Sequence, residues 1–315
     1  MGMLDGKAIV VTGAGRGIGR GVAELAAAEG AKVVVNDAGV ATDGSGSDKG
    51  PADEVVDAIR SAGGTAVANY DSVASMESGE RIIRTCVDSF GRIDCLINVA
   101  GILRDRMVFN MSEQEWDDVI AVHLKGHFAC TKPAAVLMRQ QRYGRIINFS
   151  SQSGLVGNAG QANYGAAKSG VAGFTRVVAR DLGRYGVTCN AIAPRALTRM
   201  TGNLGQSGGA AAGALSASVF AEMPPDYVAP MACFLATDGA WNINGQIFLV
   251  YGGTVSLLAH PTPYRTIFKP GDGLWTLDEL SEMVPSVMAG IANPAPPPED
   301  LEIPGRPQAQ AHAAS

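Results

Sequence analysis

The chain has 315 residues, enough for one large domain or two small ones with a sizeable core. Hydrophobic residues at 46% and charged residues at 17% describe a globular protein and not a disordered one. A net charge of −5 argues against a general nucleic-acid binder, and five scattered cysteines (Cys86, Cys95, Cys130, Cys189, Cys233), never spaced CxxC, argue against a disulfide frame or zinc site.

Short β-branched runs alternate with helical stretches from the start. "KAIVVT" (7–12) reads as a strand and leads into "TGAGRGIG", a turn that opens the helix "IGRGVAELAAAEG". Gly13, Gly17 and Gly19 allow a tight turn and let backbone come close to a pyrophosphate at the helix N-terminus. "KVVVN" (32–36) is the second strand, and Asp37 follows it, 18 residues past Gly19. A carboxylate there accepts hydrogen bonds from an adenosine ribose and repels a 2′-phosphate, which favours NAD over NADP. Arg16 is a counter-signal, since a basic residue in this turn could reach such a phosphate.

The helix "ADEVVDAIRSAGG", the strand "TAVANY" (65–70), the helix "SGERIIRTCVDSFG" and the strand "CLINV" (95–99) continue the alternation. Beyond them, Arg104 and Arg106 in "GILRDR" suggest cations for the phosphates of a coenzyme A ester; the other reading is a solvated loop pairing with Asp105. A long helical pattern, "EQEWDDVIAVHLKGHFACTKPAAVLMRQQ", carries His123 and His127 four apart. A metal reading of that pair lacks a third ligand and a base, so no metal is expected. "RIINFS" (145–150), "VTCNAIA" (187–193) and "QIFLV" (246–250) complete about seven strands. Their near-continuous apolar character fits parallel strands buried on both faces, hence an α/β, doubly wound sheet with right-handed crossovers.

Two stretches break the rhythm. Residues 195–225, rich in Gly, Ala and Ser, are too long for an ordinary connection, and a lid after a strand's carboxyl end is expected there. After Gly253, "TLDELSEMVPSVM" offers a capping box (Thr276, Glu279) and an apolar face of Leu277, Leu280, Met283 and Val284. Pro285 should end or kink that helix, and from Asn293 the Pro-rich sequence should be extended or disordered. No apolar run approaches the ~20 residues of a membrane span, and neither a signal-peptide pattern nor a peroxisomal tripeptide is seen. The expected location is the cytoplasm.

"QANYGAAKSG" (161–170) sets Tyr164 and Lys168 one helical turn apart behind Ser150 and Ser151. Alone, this is a surface turn of helix. Beside a dinucleotide site it acquires a use, because Ser151 ends the fifth strand and the other two open the next helix. Phenol has a pKa near 10, so acting as a base at neutral pH needs about three units of depression, roughly 4 kcal/mol. A lysine ammonium ~5 Å away supplies roughly 3 kcal/mol at an effective dielectric near 20, and a cationic nicotinamide can supply the rest. Ser151 would then hydrogen-bond the reacting oxygen.

Together, "TGAGRGIG", "NVAG" (98–101), Ser151 and "YGAAK" (164–168) resemble the short-chain dehydrogenase/reductase family over residues 6–253. The resemblance implies a single Rossmann-type domain over 1–253, a C-terminal extension over 254–315, NAD as cofactor, and a homodimer or homotetramer. It makes Tyr164 the proton acceptor and gives Lys168 the nicotinamide ribose. The cofactor would be lined by Gly13, Arg16, Gly17, Ile18, Gly19 and Asp37, with Asp71 and Ser72 at the adenine, Asn98 and Gly101 in the ribose region, and Ala196 and Thr198 at the nicotinamide. Two departures stand out. The usual NNAG reads NVAG, and His123 in "VHLKG" stands where the family commonly has a catalytic asparagine that holds a relay water. His123 is therefore either a catalytic relay member or a buried helix histidine with a structural bond.

"NDAG", "VANYDSV", "GRIDCLINVAGILRDRMV", "VHLKGHF" and "CNAIAPRALTRMT" narrow the resemblance. They are similar to the (3R)-hydroxyacyl-CoA dehydrogenase branch, that of peroxisomal multifunctional enzymes type 2 (17-beta-hydroxysteroid dehydrogenase type 4) and of stand-alone actinobacterial proteins. This implies oxidation of a (3R)-hydroxyacyl-CoA, steroid side-chain esters included, or of a 17-beta-hydroxysteroid. An NADPH-dependent 3-oxoacyl-carrier-protein reductase is the alternative, opposed by Asp37. A non-catalytic NAD-sensing protein is a third, and it could dispense with Tyr164 and Lys168.

Overall fold

The computed structural model describes residues 2–196, 224–298 and 300–301. Two compact units divide the chain, Met1–Ala259 and His260–Ser315. The first is built on one sheet of β1 (Ala8–Thr12), β2 (Lys32–Asn36), β3 (Thr65–Asn69), β4 (Cys95–Asn98), β5 (Gly144–Phe149), β6 (Val187–Pro194), β7 (Ile247–Tyr251) and β8 (Thr254–Leu257). Their spatial order is β3-β2-β1-β4-β5-β6-β7-β8. Every pairing is parallel until the last, where β8 returns antiparallel to β7 with Tyr251 opposite Thr254. β8 is the addition to the expected seven. Its signal is the two-glycine turn Gly252-Gly253, a short hairpin connection placed where the extension was expected to begin.

The strands alternate their side chains between two apolar layers, as their pleat requires. Ile9 and Val11 of β1 join Val33, Val35 and Ile97 against α1 (Gly17–Ala28), α2 (Gly50–Ser61) and the later helix Ala229–Ala236. Ala8 and Val10 instead join Val34, Leu96 and Ile146 against α3 (Met76–Phe90) and the helices Gly126–Gln141 and Ala162–Leu182. Full burial of each Val or Ile contributes about 1.5–3 kcal/mol, so a charge at Val10 would break the layer.

The expected long helix over 113–141 is three pieces. α4 (Glu113–Ile120) starts with a Ser112–Glu115 capping box. A π-helical segment, Ala121–Lys125, follows, and α5 (Gly126–Gln141) continues from it. π segments of this kind concentrate at functional sites. Among the described residues the remaining α-helices of the unit are α6 (Gln152–Leu155), α7 (Ala162–Leu182) and α8 (Ala229–Ala236). Most of the expected lid, 197–223, lies outside the described residues.

In the second unit α9 (Leu277–Met288) has the expected capping box of Thr276 and Glu279. It does not stop at Pro285 but runs on to Met288. The proline deprives Ser281 of its hydrogen-bond donor, and Ser281 is exposed, so water can satisfy that carbonyl. Arg265 binds the carbonyls of Val287 and Ala289 at the other end. Among the described residues no helix is long and apolar enough to cross a membrane.

Candidate active site

The glycine-rich turn lies at the carboxyl end of β1, between Asp37 after β2 and the turn after β4. Gly13 has φ +64°, and a side chain there would come within 2.7 Å of the Ala100 Cα. A side chain at Gly19 would strike the Gly13 carbonyl. The turn is therefore bare backbone by steric necessity. Arg16 occupies the N-cap of α1 without a side-chain cap, which leaves the first amides of α1, from Gly17 through Ile18 to Gly19, for an anionic ligand. Arg16 itself is exposed. Asp37 accepts the Gly15 amide at 2.8 Å on one oxygen and the Gly39 amide at 2.8 Å on the other. A carboxylate has about four acceptor positions, so two backbone bonds orient it and leave capacity for a ribose.

The neighbouring pocket wall is also ordered by hydrogen bonds. Asp71 is held by Arg81 at 2.7 Å and by the Asn69 amide at 3.1 Å. Ser72 is exposed, and its hydroxyl accepts the Ala74 amide. Asn98 turns its side chain inward: it is 2% exposed, and its amide group donates to Asn148 at 3.0 Å. It braces β4 against β5, so the part of this turn that is left to meet a ligand is the backbone up to Gly101. Ala196 is buried at the end of β6, and Thr198 falls outside the described residues.

A strap crosses this region. The loop after β2, residues 38–49, is pinned to the loop after β4: the Leu103 amide donates to the Thr42 carbonyl at 2.8 Å, and the Arg104 guanidinium to that of Asp43 at 2.9 Å. Because β1 lies between β2 and β4, the strap passes over the carboxyl end of β1, where the glycine-rich turn sits.

Ser151, Tyr164 and Lys168 do converge. Ser151 is the N-cap of α6, bonded to the Ser153 amide at 3.2 Å, and its hydroxyl also meets the Tyr164 phenol. Lys168 lies on α7 with its Nζ 5.6 Å from the Tyr164 ring centre, donating to the Phe149 carbonyl at 2.5 Å. The N-terminus of α7 is set by residues the sequence did not single out. Asn163 is fully buried and donates to the carbonyls of Arg104 and Glu115 while accepting the Tyr164 amide at 2.7 Å. Gln161 ties Asp105 to the Ser153 hydroxyl. The available signal was an uncharged polar side chain, Asn163, within the first turn of a helix beside the Tyr164–Lys168 pair.

The electrostatics correct one expectation. Burial pushes the Tyr164 phenol up to about 12, with the Ser151 hydroxyl acting the other way and the Asp105 carboxylate adding to the rise. Burial also pushes Lys168 down to about 7. The lysine therefore does not depress the phenol in this state: its ammonium is itself disfavoured and is aimed at a backbone carbonyl.

His123 sits in the π-helical segment, 1% exposed. Its Nε2 is 2.7 Å from the Ile102 carbonyl, and its ring meets that of Tyr164 edge-on at 5.0 Å. Gly101 packs so closely on the imidazole that a side chain there would overlap its Cε1. Burial first, then Lys168, hold His123 well below the usual histidine range. Its Nδ1 is buried without a partner. His127, 2% exposed, is likewise pushed down, to about 3, by burial and then by Lys168. The two arginines are committed elsewhere: Arg104 pairs with Asp118 at 3.0 Å and Arg106 with Glu115 at 2.9 Å, so their partners are α4 carboxylates and not Asp105.

The chain is similar to known enzymes. The mycobacterial hydroxyacyl-CoA dehydrogenase ChsB1 (Mycobacterium tuberculosis) is 42% identical over 295 residues, covering 91% of this chain and 90% of that one. A 3-oxoacyl-[acyl-carrier-protein] reductase from Synechocystis is 45% identical over 260 residues, covering 80% of this chain and 98% of that one. The solved structure of full-length peroxisomal multifunctional enzyme type 2 from Drosophila melanogaster superposes with a TM-score of 0.70 at 38% identity, over 88% of this chain and 44% of that one. The chain thus spans less than half the length of that enzyme. The model of the short chain dehydrogenase family matches residues 7–207, and the chain belongs to that family.

Proposed function

We propose that the protein is an NAD-dependent (3R)-hydroxyacyl-CoA dehydrogenase. The observation that carries the NAD half is Asp37, held by two backbone amides at the end of β2 with lone pairs left for a ribose and a charge that repels a 2′-phosphate. The substrate half rests on similarity across nine tenths of a hydroxyacyl-CoA dehydrogenase. Steroid side-chain CoA esters are the bulky members of the substrate class proposed, and a 17-beta-hydroxysteroid is the alternative outside it.

The bare backbone at Gly13 and Gly19 and the uncapped start of α1 fit a dinucleotide. When bound, NAD supplies the hydride acceptor at C3 of the substrate and a positive charge beside the phenol. Tyr164 takes the hydroxyl proton, Ser151 holds the reacting oxygen, and Lys168, with one N–H on the Phe149 carbonyl, turns its others toward the ribose. A phenol at about 12 is a poor base at neutral pH, so Tyr164 works only once positive charge is gathered beside it. His123 stands in the relay position, its unpartnered Nδ1 offering a buried site for a water. A homodimer or homotetramer is the proposed assembly, measurable by light scattering.

The second reading, an NADPH-dependent 3-oxoacyl-carrier-protein reductase, is favoured by the Synechocystis relative and by the exposed Arg16. Initial rates of NAD and NADP reduction with a (3R)-hydroxyacyl-CoA separate the two. Preference for NAD with turnover supports the proposal, and a strict NADP requirement overturns it.

A further inference from the structure

The buried histidine that neither the cofactor site nor the tyrosine uses is His127. It lies on the first turn of α5, directly after the π-helical segment, and is 2% exposed. The backbone of His123 in the π-helical segment and of Asn98 at the end of β4 acts against the downward push of burial on the ring of His127. Its Nε2 lies 3.4 Å from the Phe149 amide at the end of β5. β5 runs to Phe149, which pairs with Ile192 of β6, while the register of β4 with β5 closes one residue earlier, at Asn98 and Asn148. The Phe149 carbonyl, on the other side of the same residue, is the acceptor of the Lys168 ammonium.

We propose that His127 is a positioning residue for Lys168, acting through Phe149. The imidazole joins the first turn of α5 to the carboxyl end of β5 by taking the Phe149 amide. Together with the pairing of Phe149 to Ile192 of β6, that bond aims the Phe149 carbonyl at Nζ, so one N–H of the lysine is anchored and the others remain for a ribose. The ring must be neutral to accept the amide, and burial keeps it so. A cationic ring there would lose the acceptor and repel the ammonium. The groups facing this cluster are Lys168 and Tyr164 from α7 and His123 from the π-helical segment, while β4 and β5 present Asn98 and Phe149. The inference rests on Lys168 serving the cofactor-side chemistry proposed above.

His127→Leu keeps apolar bulk and removes both bonding nitrogens, whereas His127→Asn keeps one acceptor and one donor. Expected for His127→Leu is a fall in kcat of about tenfold with KM for the acyl-CoA unchanged, NAD binding weakened, and the pH–rate profile displaced, because a misplaced lysine loses its geometry toward the phenol. His127→Asn should restore the profile. A merely structural histidine predicts a lower Tm with the wild-type pH profile and NAD affinity in both variants, and that result overturns the proposal. If the leucine variant does not fold, ¹⁵N shifts of the wild-type ring decide: a neutral imidazole protonated at Nδ1 from pH 5 to 9 is required, and a ring that titrates in that range, or carries its proton on Nε2, ends the idea. NAD binding and the ¹⁵N shifts are read without any acyl-CoA, so a wrong substrate assignment leaves these outcomes readable.

Discussion

The glycine-rich turn and the Tyr164–Lys168 pair reach readiness in opposite ways. At the turn, function is written in backbone: Gly13, Gly19 and the uncapped α1 are held in place by contacts that admit no side chain, whether or not a ligand is bound. At the pair, geometry is in place but charge is not. The phenol stands at about 12 and the lysine at about 7, both driven by burial in the direction that opposes the reaction. A steric site can be finished by folding alone. An acid–base site in a low-dielectric crevice is finished by what enters it, because the charge that makes the tyrosine a base arrives with the cofactor.

The largest effect that tests this contrast is Tyr164→Phe. It removes the proton acceptor and little volume, so NAD binding at the turn should survive while turnover falls by at least ~10²-fold. Calorimetric NAD titration and kcat on the same variant check both halves. A fully active phenylalanine enzyme would end the proposed mechanism, and loss of NAD binding would show that the two regions are not separable.

Lys168 sharpens the contrast through stability. Its folded pKa, about 7, lies below the unfolded value near 10.4, so between these values the unfolded chain binds more protons and stability rises with pH. The clean window is about pH 7 to 8.5. Below it the buried His123 and His127, both depressed, make stability fall as they are forced to charge. Above it the five buried cysteines, all raised, make stability fall as pH increases. Within the window, unfolding free energy without cofactor should climb by up to ~1.4 kcal/mol per pH unit, and Lys168→Met should flatten the climb. An equal climb in the variant would place the titration elsewhere.

On the turn side, Asp37→Ala should weaken NAD by about tenfold, the value of a charge-assisted hydrogen bond, and improve tolerance of NADP. The ratio of kcat/KM for the two cofactors measures it. An unchanged ratio would detach Asp37 from the ribose and return weight to Arg16.

What the sequence made legible follows the same division. The parallel sheet, the turn, Asp37 and the Ser151–Tyr164–Lys168 cluster are short-range patterns: β-branched runs, glycines at fixed offsets, residues one helical turn apart. β8 was missed because its hairpin signal, Gly252-Gly253, precedes only four paired residues. The π-helical segment was missed because nothing in the apolar period of residues 113–141 marks a change of backbone register. Asn98 and Asn163 turned inward to bonds with partners far along the chain, and spacing carries no information about such partners. The direction of the phenol in the absence of cofactor was missed for a related reason. A pairwise charge estimate at ~5 Å omits desolvation, and in a buried cluster desolvation is the larger effect.

The smallest expected effect concerns Arg104, and it distinguishes two uses of one cation. Its guanidinium binds the Asp43 carbonyl at 2.9 Å and Asp118 at 3.0 Å, so it fastens the strap over β1 to α4. An arginine so engaged has little left for the phosphates of an acyl-CoA. Arg104→Ala leaves the strap its backbone bond from Leu103 to Thr42 and removes the side-chain one. Loss of about 1 kcal/mol there corresponds to roughly fivefold in any equilibrium the strap controls. NAD should therefore dissociate roughly fivefold faster, by stopped-flow displacement, with KM for the acyl-CoA unchanged. The reverse pattern, a raised acyl-CoA KM with unaltered NAD release, would make Arg104 a substrate contact and show that the strap is held by its backbone alone.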